Sequence, residues 1–433
     1  MALGGGTFTA QNKVLPGAYI NFISLAAASA TLSDRGIAAI GIESDWGETG
    51  KIITVTNSDF KKYSQKIFGY NYENAKLRGI RDLFLNVHTL YVYRLNKNGT
   101  KAANTFATAK HDGARGNDVK IIIQKNVDEP SKFDVKTVLG TSVVDFQTVS
   151  EAKDLVANDY VEFKSGASLA ETAATALTGG ANGDVDGSAH QEFLDKLEKF
   201  SFNALGCTSS DDTIKELYVN YCKRLRDEIG KKFQVVVYNK AADYEGVINV
   251  KNTVTDGSKG DLVYWVTGVI AGVPVNKSAL NKIYNGEFEI NVEFTQSQLE
   301  SAIKAGEFTL HQVGNDIRVL MDINSLTSVT DEKGEVFKDN QTIRVIDQIA
   351  NDIAVLFNTK YLGVVPNDEA GRISLWSDIV QHHANLQAIR AIENFADTDV
   401  TIVQGENKKS VLVTDLVTVV NTMEKLYMTV TIK

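Results

Sequence analysis

Between Asn96 and Leu177 the hydrophobic pattern changes period, and this change limits the possible folds more than any other feature of the chain. Short runs rich in Val, Ile, Thr and Phe occupy residues 119–124, 133–139, 143–148 and 160–163, separated by turn residues. β-Branched and aromatic residues at that close spacing predict a small all-β module, with one short helix at 150–157. The run ends at Thr178-Gly179-Gly180-Ala181-Asn182-Gly183-Asp184, a loop dense in turn residues.

On either side the spacing is that of mixed strands and helices. Upstream, residues 37–42, 52–55 and 89–95 read as strands, and 59–68 and 75–86 carry helical spacing. Downstream, Phe193, Leu194, Leu197 and Phe200 share one helix face. Ser210-Asp211-Asp212 is the expected N-cap of a helix carrying Ile214, Leu217, Tyr218, Tyr221, Leu225 and Ile229, which stops at Gly230. Gln234–Tyr238 is a continuous apolar run of the kind buried on both faces. A helix at 260–271 ends at Pro274, another spans 296–305, and strands are expected at 288–294, 308–313 and 317–323. In the last ninety residues, Val345, Ile349, Ile353 and Leu356 mark one helix, and Leu375, Ile379, Leu386 and Ile389 mark a second. Residues 400–404 and 411–415 resemble a hairpin. The fold class is therefore α+β/α/β and multidomain: an α/β core, an inserted all-β module and a C-terminal α+β domain.

Composition supports a large globular protein. At ~100–200 residues per domain, 433 residues suggest two to four domains, and 43% hydrophobic with 23% charged residues is ordinary globular usage. A net charge of −9 opposes nucleic-acid binding, which would show as a basic excess. Cys207 and Cys222 are too few for a disulfide framework and fit a reducing cytoplasm. No run approaches the ~18 apolar residues of a membrane span, and the start lacks the pattern of a secretory signal. The expectation is a soluble cytosolic product.

Catalytic signatures are missing: there is no G-x-S-x-G, Walker A loop, H-E-x-x-H or C-x-x-C. The glycines at 179–187 follow a polar tract and lack the phosphate-reaching Lys, so they read as a junction loop. Asn182, Asp184 and Asp186 imitate half an EF-hand loop, but position 12 is Phe193 and the acid Glu192 falls one place early. His382 and His383 are adjacent, point about 100° apart on a helix and cannot share a metal; they read as a helix face near a contact surface. No catalytic, cofactor or metal residue is expected.

The two termini are the unusual feature. Residues 1–17 form a Gly-rich arm, and Ala18, Tyr19, Ile20, Asn21 and Phe22 then form a short strand with no neighbouring partner. At the other end, Leu426, Met428, Val430 and Ile432 alternate with Tyr427, Thr429 and Thr431, without proline or charge. Such strands either pair within their own subunit or add to another chain's sheet.

Four stretches, in order, resemble contractile tail sheath proteins of phages and of their bacteriocin and phage-like relatives, particularly those of Gram-positive hosts. They are Leu15-Pro16-Gly17-Ala18-Tyr19-Ile20-Asn21-Phe22; GIAAIGIESDWG at 36–47; Leu177-Thr178-Gly179-Gly180 with Asn182-Gly183-Asp184; and a C-terminal set. That set comprises Tyr361-Leu362-Gly363, Gly371-Arg372, Arg390-Ala391-Ile392-Glu393-Asn394-Phe395 and the run from Val420 to Met428. The resemblance implies a non-enzymatic subunit of stacked six-membered rings around an inner tube, which contract to drive that tube through a target envelope. It implies terminal arms that exchange strands between neighbouring subunits, at 18–22 and 426–432. Implied partners are other sheath subunits, the tail tube, baseplate and tail terminator proteins, with no nucleic acid and no membrane insertion. Implied location is a virion tail or bacteriocin particle assembled in the host cytoplasm. The corresponding domains are an N-terminal arm at 1–22, a core at 23–95 and 178–344, and an outward β-sandwich-like module at 96–177. A tube-proximal domain follows at 345–420, with an arm at 421–433. In the tube-proximal domain, Arg372, His382, His383, Arg390 and Glu393 are the exposed polar candidates for tube contact. The alternatives are an α/β enzyme with an accessory β-domain, and the sheath of a headless bacteriocin.

Overall fold

A computed structural model of the chain describes residues 32–432; the strand expected at 18–22 lies outside the described residues. Strands β1 (Ile37–Ile42) and β2 (Ile52–Thr56) lead into α1 (Asn57–Phe68) and α2 (Arg78–Phe84), followed by β3 (Thr89–Arg94). Next come β4 (Ala107–Ala109), β5 (Val119–Lys125), β6 (Phe133–Leu139), β7 (Ser142–Val149), β8 (Val161–Phe163) and β9 (Thr172–Ala176). Helix α3 (Gly187–Leu197), β10 (Ala204–Cys207), α4 (Asp212–Arg224), β11 (Gln234–Tyr238), β12 (Val247–Val250) and α5 (Leu262–Gly272) follow. The remainder is α6 (Gln296–Lys304), β13 (Glu307–Phe308), β14 (Leu310–Val313), β15 (Asp316–Val319), α7 (Asn340–Leu356), α8 (Glu369–Ala388), β16 (Ile392–Glu393), β17 (Val400–Gln404) and β18 (Val411–Asp415).

Two compact units result. One comprises 34–350 and 419–432; the other comprises 351–418 with residues 32–33. In the first, seven strands form one sheet in the order β13-β12-β11-β10-β1-β3-β2, parallel except for β2. Period-two side chains divide between its faces. Ala38, Ile40, Leu90, Val92, Val236 and Ile248 enter one core with Phe60, Leu83 and Trp265. Ala39, Tyr93, Val235, Val237 and Val247 enter the other with Phe193, Tyr218 and Cys222. Local chemistry sets the helix ends. Thr56 and Asp59 form a capping box on α1, whose last turn closes on Gly69 at φ 79°, and the Asp211 carboxylate accepts from the N–H groups of Thr213 and Ile214 at the start of α4. Helix α5 is almost wholly apolar, and nine of its eleven residues are buried. A side-chain carbon at Gly268 or Gly272 would fall 2.5 Å from the Leu83 carbonyl oxygen or 1.7 Å from that of Asn86, so α2 lies close only because both positions lack one.

Within the same unit, β7-β6-β5-β9 form an antiparallel sheet and β4 pairs with β8. Their core contains Val119, Ile121, Ile123, Val135, Leu139, Tyr160 and Val161, together with Trp46.

The second unit holds α8 against the hairpin β17–β18 and the last turns of α7. Leu356, Tyr361, Leu375, Ile379 and Val400 are its buried centre, and the Trp376 indole donates to the Val400 carbonyl at 2.9 Å.

Three sequence expectations need correction. Residues 288–294 make one bridge, Ile290 with Val254, and no strand, because side chains take the backbone donors at the start of the segment. Asp82 accepts from the Glu287 N–H, the Tyr284 hydroxyl from that of Phe288, and Asp256 from that of Glu289. The helix at 150–157 shrinks to one 3₁₀ turn, Ala152–Asp154. Ile389, expected in the apolar face of α8, is 37% exposed because the helix ends there. Residues 423–432 have no ladder partner among the described residues.

Candidate functional site

The C-terminal segment leaves the first unit from the start of α7. The Gln341 side-chain N–H donates to the Val420 carbonyl at 2.9 Å, and the Thr422 backbone N–H donates to the Gln341 side-chain oxygen at 3.1 Å. Asn421 and Thr342 share a further side-chain hydrogen bond at 3.2 Å. Beyond Thr422 the large apolar side chains stand in solvent. Met423, Leu426, Tyr427, Met428, Val430 and Ile432 are all exposed, from 70% to 100%. Six large apolar side chains on ten residues are costly to leave in water.

The second unit presents a matching feature. Among the described residues, strands β17 and β18 pair with each other alone, across five registered residue pairs, and each leaves one backbone edge without a described partner. Val403, Leu412 and Val413 on this hairpin are exposed. A two-stranded ribbon with both edges open can accept further strands.

The tube-contact candidates divide into two groups. Arg390 and Glu393 are exposed at the end of α8, and Arg372 is half-buried, donating to the backbone and side-chain oxygens of Asn367. His382 and His383 are buried, not exposed, which corrects the sequence reading. Nε2 of His382 lies 2.9 Å from the Asp352 carboxylate, Nε2 of His383 lies 2.8 Å from that of Asp415, and Phe395 covers the His383 ring. They tie α8 to α7 and β18. Their signal was hidden because the helix's apolar positions are not confined to one stripe.

A cleft of about 560 Å³ lies at the carboxyl ends of β1 and β3, where ligands bind in many parallel α/β sheets. Most of its charges have partners. The Lys76 ammonium contacts Asp45 at 2.5 Å, the Tyr70 hydroxyl donates to Asp45 at 2.6 Å, and Arg78 pairs with Asp256 at 2.6 Å. No His or Cys lines it, and no nucleophile, base and orienting group come together there. Among the described residues no group of three His, Cys, Asp or Glu side chains could hold a metal ion. No helix among them is long and apolar enough to cross a membrane.

Comparison with known proteins covers nearly the whole chain. Residues 97–182 match the phage tail sheath protein beta-sandwich domain, 183–325 the phage tail sheath protein central domain, and 332–433 the phage tail sheath C-terminal domain. The phage-like element PBSX protein XkdK of Bacillus subtilis is 32% identical over 467 residues, covering 99% of each chain. The crystal structure of a sheath tail protein from Desulfitobacterium hafniense superposes with a TM-score of 0.83 at 38% identity, covering 95% of this chain and 99% of that one. The sheath tail protein Lin1278 of Listeria innocua gives a TM-score of 0.78 at 32% identity, covering 93% and 96%.

Proposed function

The chain belongs to the phage tail sheath family, and from that premise we propose that it is the repeating subunit of a contractile sheath, linked to its neighbours by exchanged terminal strands. The observation that carries this reading is the arm at 423–432, which is rich in large apolar side chains, free of proline and exposed in the single chain. A neighbour's β17–β18 hairpin supplies the backbone edge such an arm requires, and main-chain pairing gives affinity while alternate side chains give register. Residues 18–22 are the second exchanged element.

In this reading the subunits build stacked six-membered rings around an inner tube, with the module at 96–177 facing outward. Arg372, Arg390 and Glu393 are the tube-facing polar groups, and the baseplate and terminator close the two ends. Contraction requires no nucleotide if the extended assembly is metastable and the shortened one buries more subunit surface. Neighbouring genes distinguish a DNA-carrying phage from a headless particle.

The test is truncation after Lys425, alongside Val430→Pro, which removes a ladder donor. Both variants should keep the wild-type circular dichroism spectrum and fail to sediment as tubes, with microscopy showing only small particles. Normal tubes from both folded variants would sink the strand-exchange reading. Discrete particles from the wild type would favour the accessory-domain enzyme instead.

A further inference from the structure

The first half of α7 turns polar side chains inward. Asn340, Gln341, Thr342, Arg344, Asp347 and Gln348 are all at least nine-tenths buried. Burial of so many polar groups is tolerable only when each finds a partner, and several partners belong to the α/β core. Asn340 donates to Asp322 and accepts from Gln234, Arg344 pairs with Asp322, and Asp347 with Arg226. Gln341 and Thr342 differ, because they face the root of the C-terminal arm.

We propose that Gln341 is the positioning residue of that arm, its amide acting as one rung of a β-ladder that fixes where the arm leaves and which way its N–H row faces. The proposal rests on the strand-exchange reading, with a second copy of this chain as the occupant of the free arm. The geometry is two-point. One side-chain amide gives a proton to Val420 and takes one from Thr422, two residues on, as a neighbouring strand's peptide groups would. A neutral amide supplies both a donor and an acceptor there, which a carboxylate cannot. An arm hinged at one point would sweep many directions. An arm held at 420–422 begins its free length in one direction, which lowers the ordering entropy of docking.

The chemistry offers a selective test. In Gln341→Glu the ionised side chain still accepts from Thr422 but cannot donate to Val420, and it places charge against that carbonyl. Protonation restores both bonds. The nearest titratable group in sequence is Asp339, which itself interacts with Asp322, Arg344 and, on the arm, Glu424. These are shared with wild type, so the comparison is between genotypes at each pH. Hydrogen exchange of the Thr422 amide in unassembled protein should quicken about tenfold in Gln341→Leu. Gln341→Glu should match it at pH 7.5 and return toward the wild-type rate at pH 5. Tube yield should follow the same order. Gln341→Glu, nearly isosteric, carries the test alone if the Leu variant does not fold. Unchanged Thr422 exchange, or no recovery at pH 5, overturns the clamp. Faster exchange with normal tubes overturns its positioning role. Normal tubes from the chain truncated after Lys425 would instead overturn the arm reading beneath it.

Discussion

Asp82, at the residue scale, shows no exposed surface and accepts the Glu287 N–H and the Tyr284 hydroxyl. Burial raises its carboxyl to about 6, and these hydrogen bonds only partly oppose that. An unfolded Asp titrates near ~3.9, so between about pH 4 and pH 6 the folded chain binds the extra proton. Stability contributed by Asp82 is therefore highest at or below pH 4 and is lost as pH rises through about 6. Asp82→Asn removes that titration. The stability of the variant relative to wild type should improve by roughly 2–3 kcal/mol between pH 4 and pH 7, read from urea midpoints at both pH values. A difference that does not change with pH would show that Asp82 titrates normally. Nothing in the local sequence, Arg81-Asp82-Leu83, announces a buried acid. Its partners lie more than 200 positions away.

Helices α4 and α7 meet, at the scale of elements, through one buried ion pair. Arg226 stands in the π-helical turn Leu225–Ile229 that ends α4 and grips Asp347 of α7 through both oxygens, at 2.6 and 2.8 Å. It also donates to the Phe233 carbonyl at 2.7 Å. Removing one partner strands the other charge in the core. Arg226→Met should therefore cost about 3–5 kcal/mol, whereas Arg226→Met with Asp347→Leu should regain most of that loss. Urea unfolding of both variants checks this, and a double variant as unstable as the single one would mean that the pair itself is strongly favourable. The helical spacing of Leu225 and Ile229 was legible. The inward turn of Arg226 depends on the π-helical turn, which shifts side chains off the ordinary helical period.

At the scale of the whole molecule, the β-rich segment enters and leaves at adjacent points. Thr100 and Ala181 exchange both backbone hydrogen bonds, at 2.9 and 3.1 Å, and Lys97 pairs with Asp184. A short Gly/Ser turn can therefore replace residues 101–180. The parallel sheet should fold without them, at reduced stability, because Trp46 loses its Tyr160 and His111 neighbours and Arg94 loses Asp112. A red-shifted Trp46 emission with a retained cooperative melt is the expected result. Insoluble expression would show that the core requires the module.

The sequence by itself determined those parts whose information is local. The Asp211 cap placed the start of α4, the run Gln234–Tyr238 declared a doubly buried strand, and the alternation at 426–432 marked a segment of strand-like pattern. Tertiary structure alone decided the rest. Ala204–Cys207 and Val247–Val250 pair with β11 near the middle of the sheet, yet four residues are too few to display a period. His382 and His383 gain their burial from Asp352, Asp415 and Phe395, contributed by other elements. Gln341 meets Val420 across 79 residues. Period and capping act between near neighbours and so are written in the chain's order. Burial and pairing arise between segments that only folding brings together.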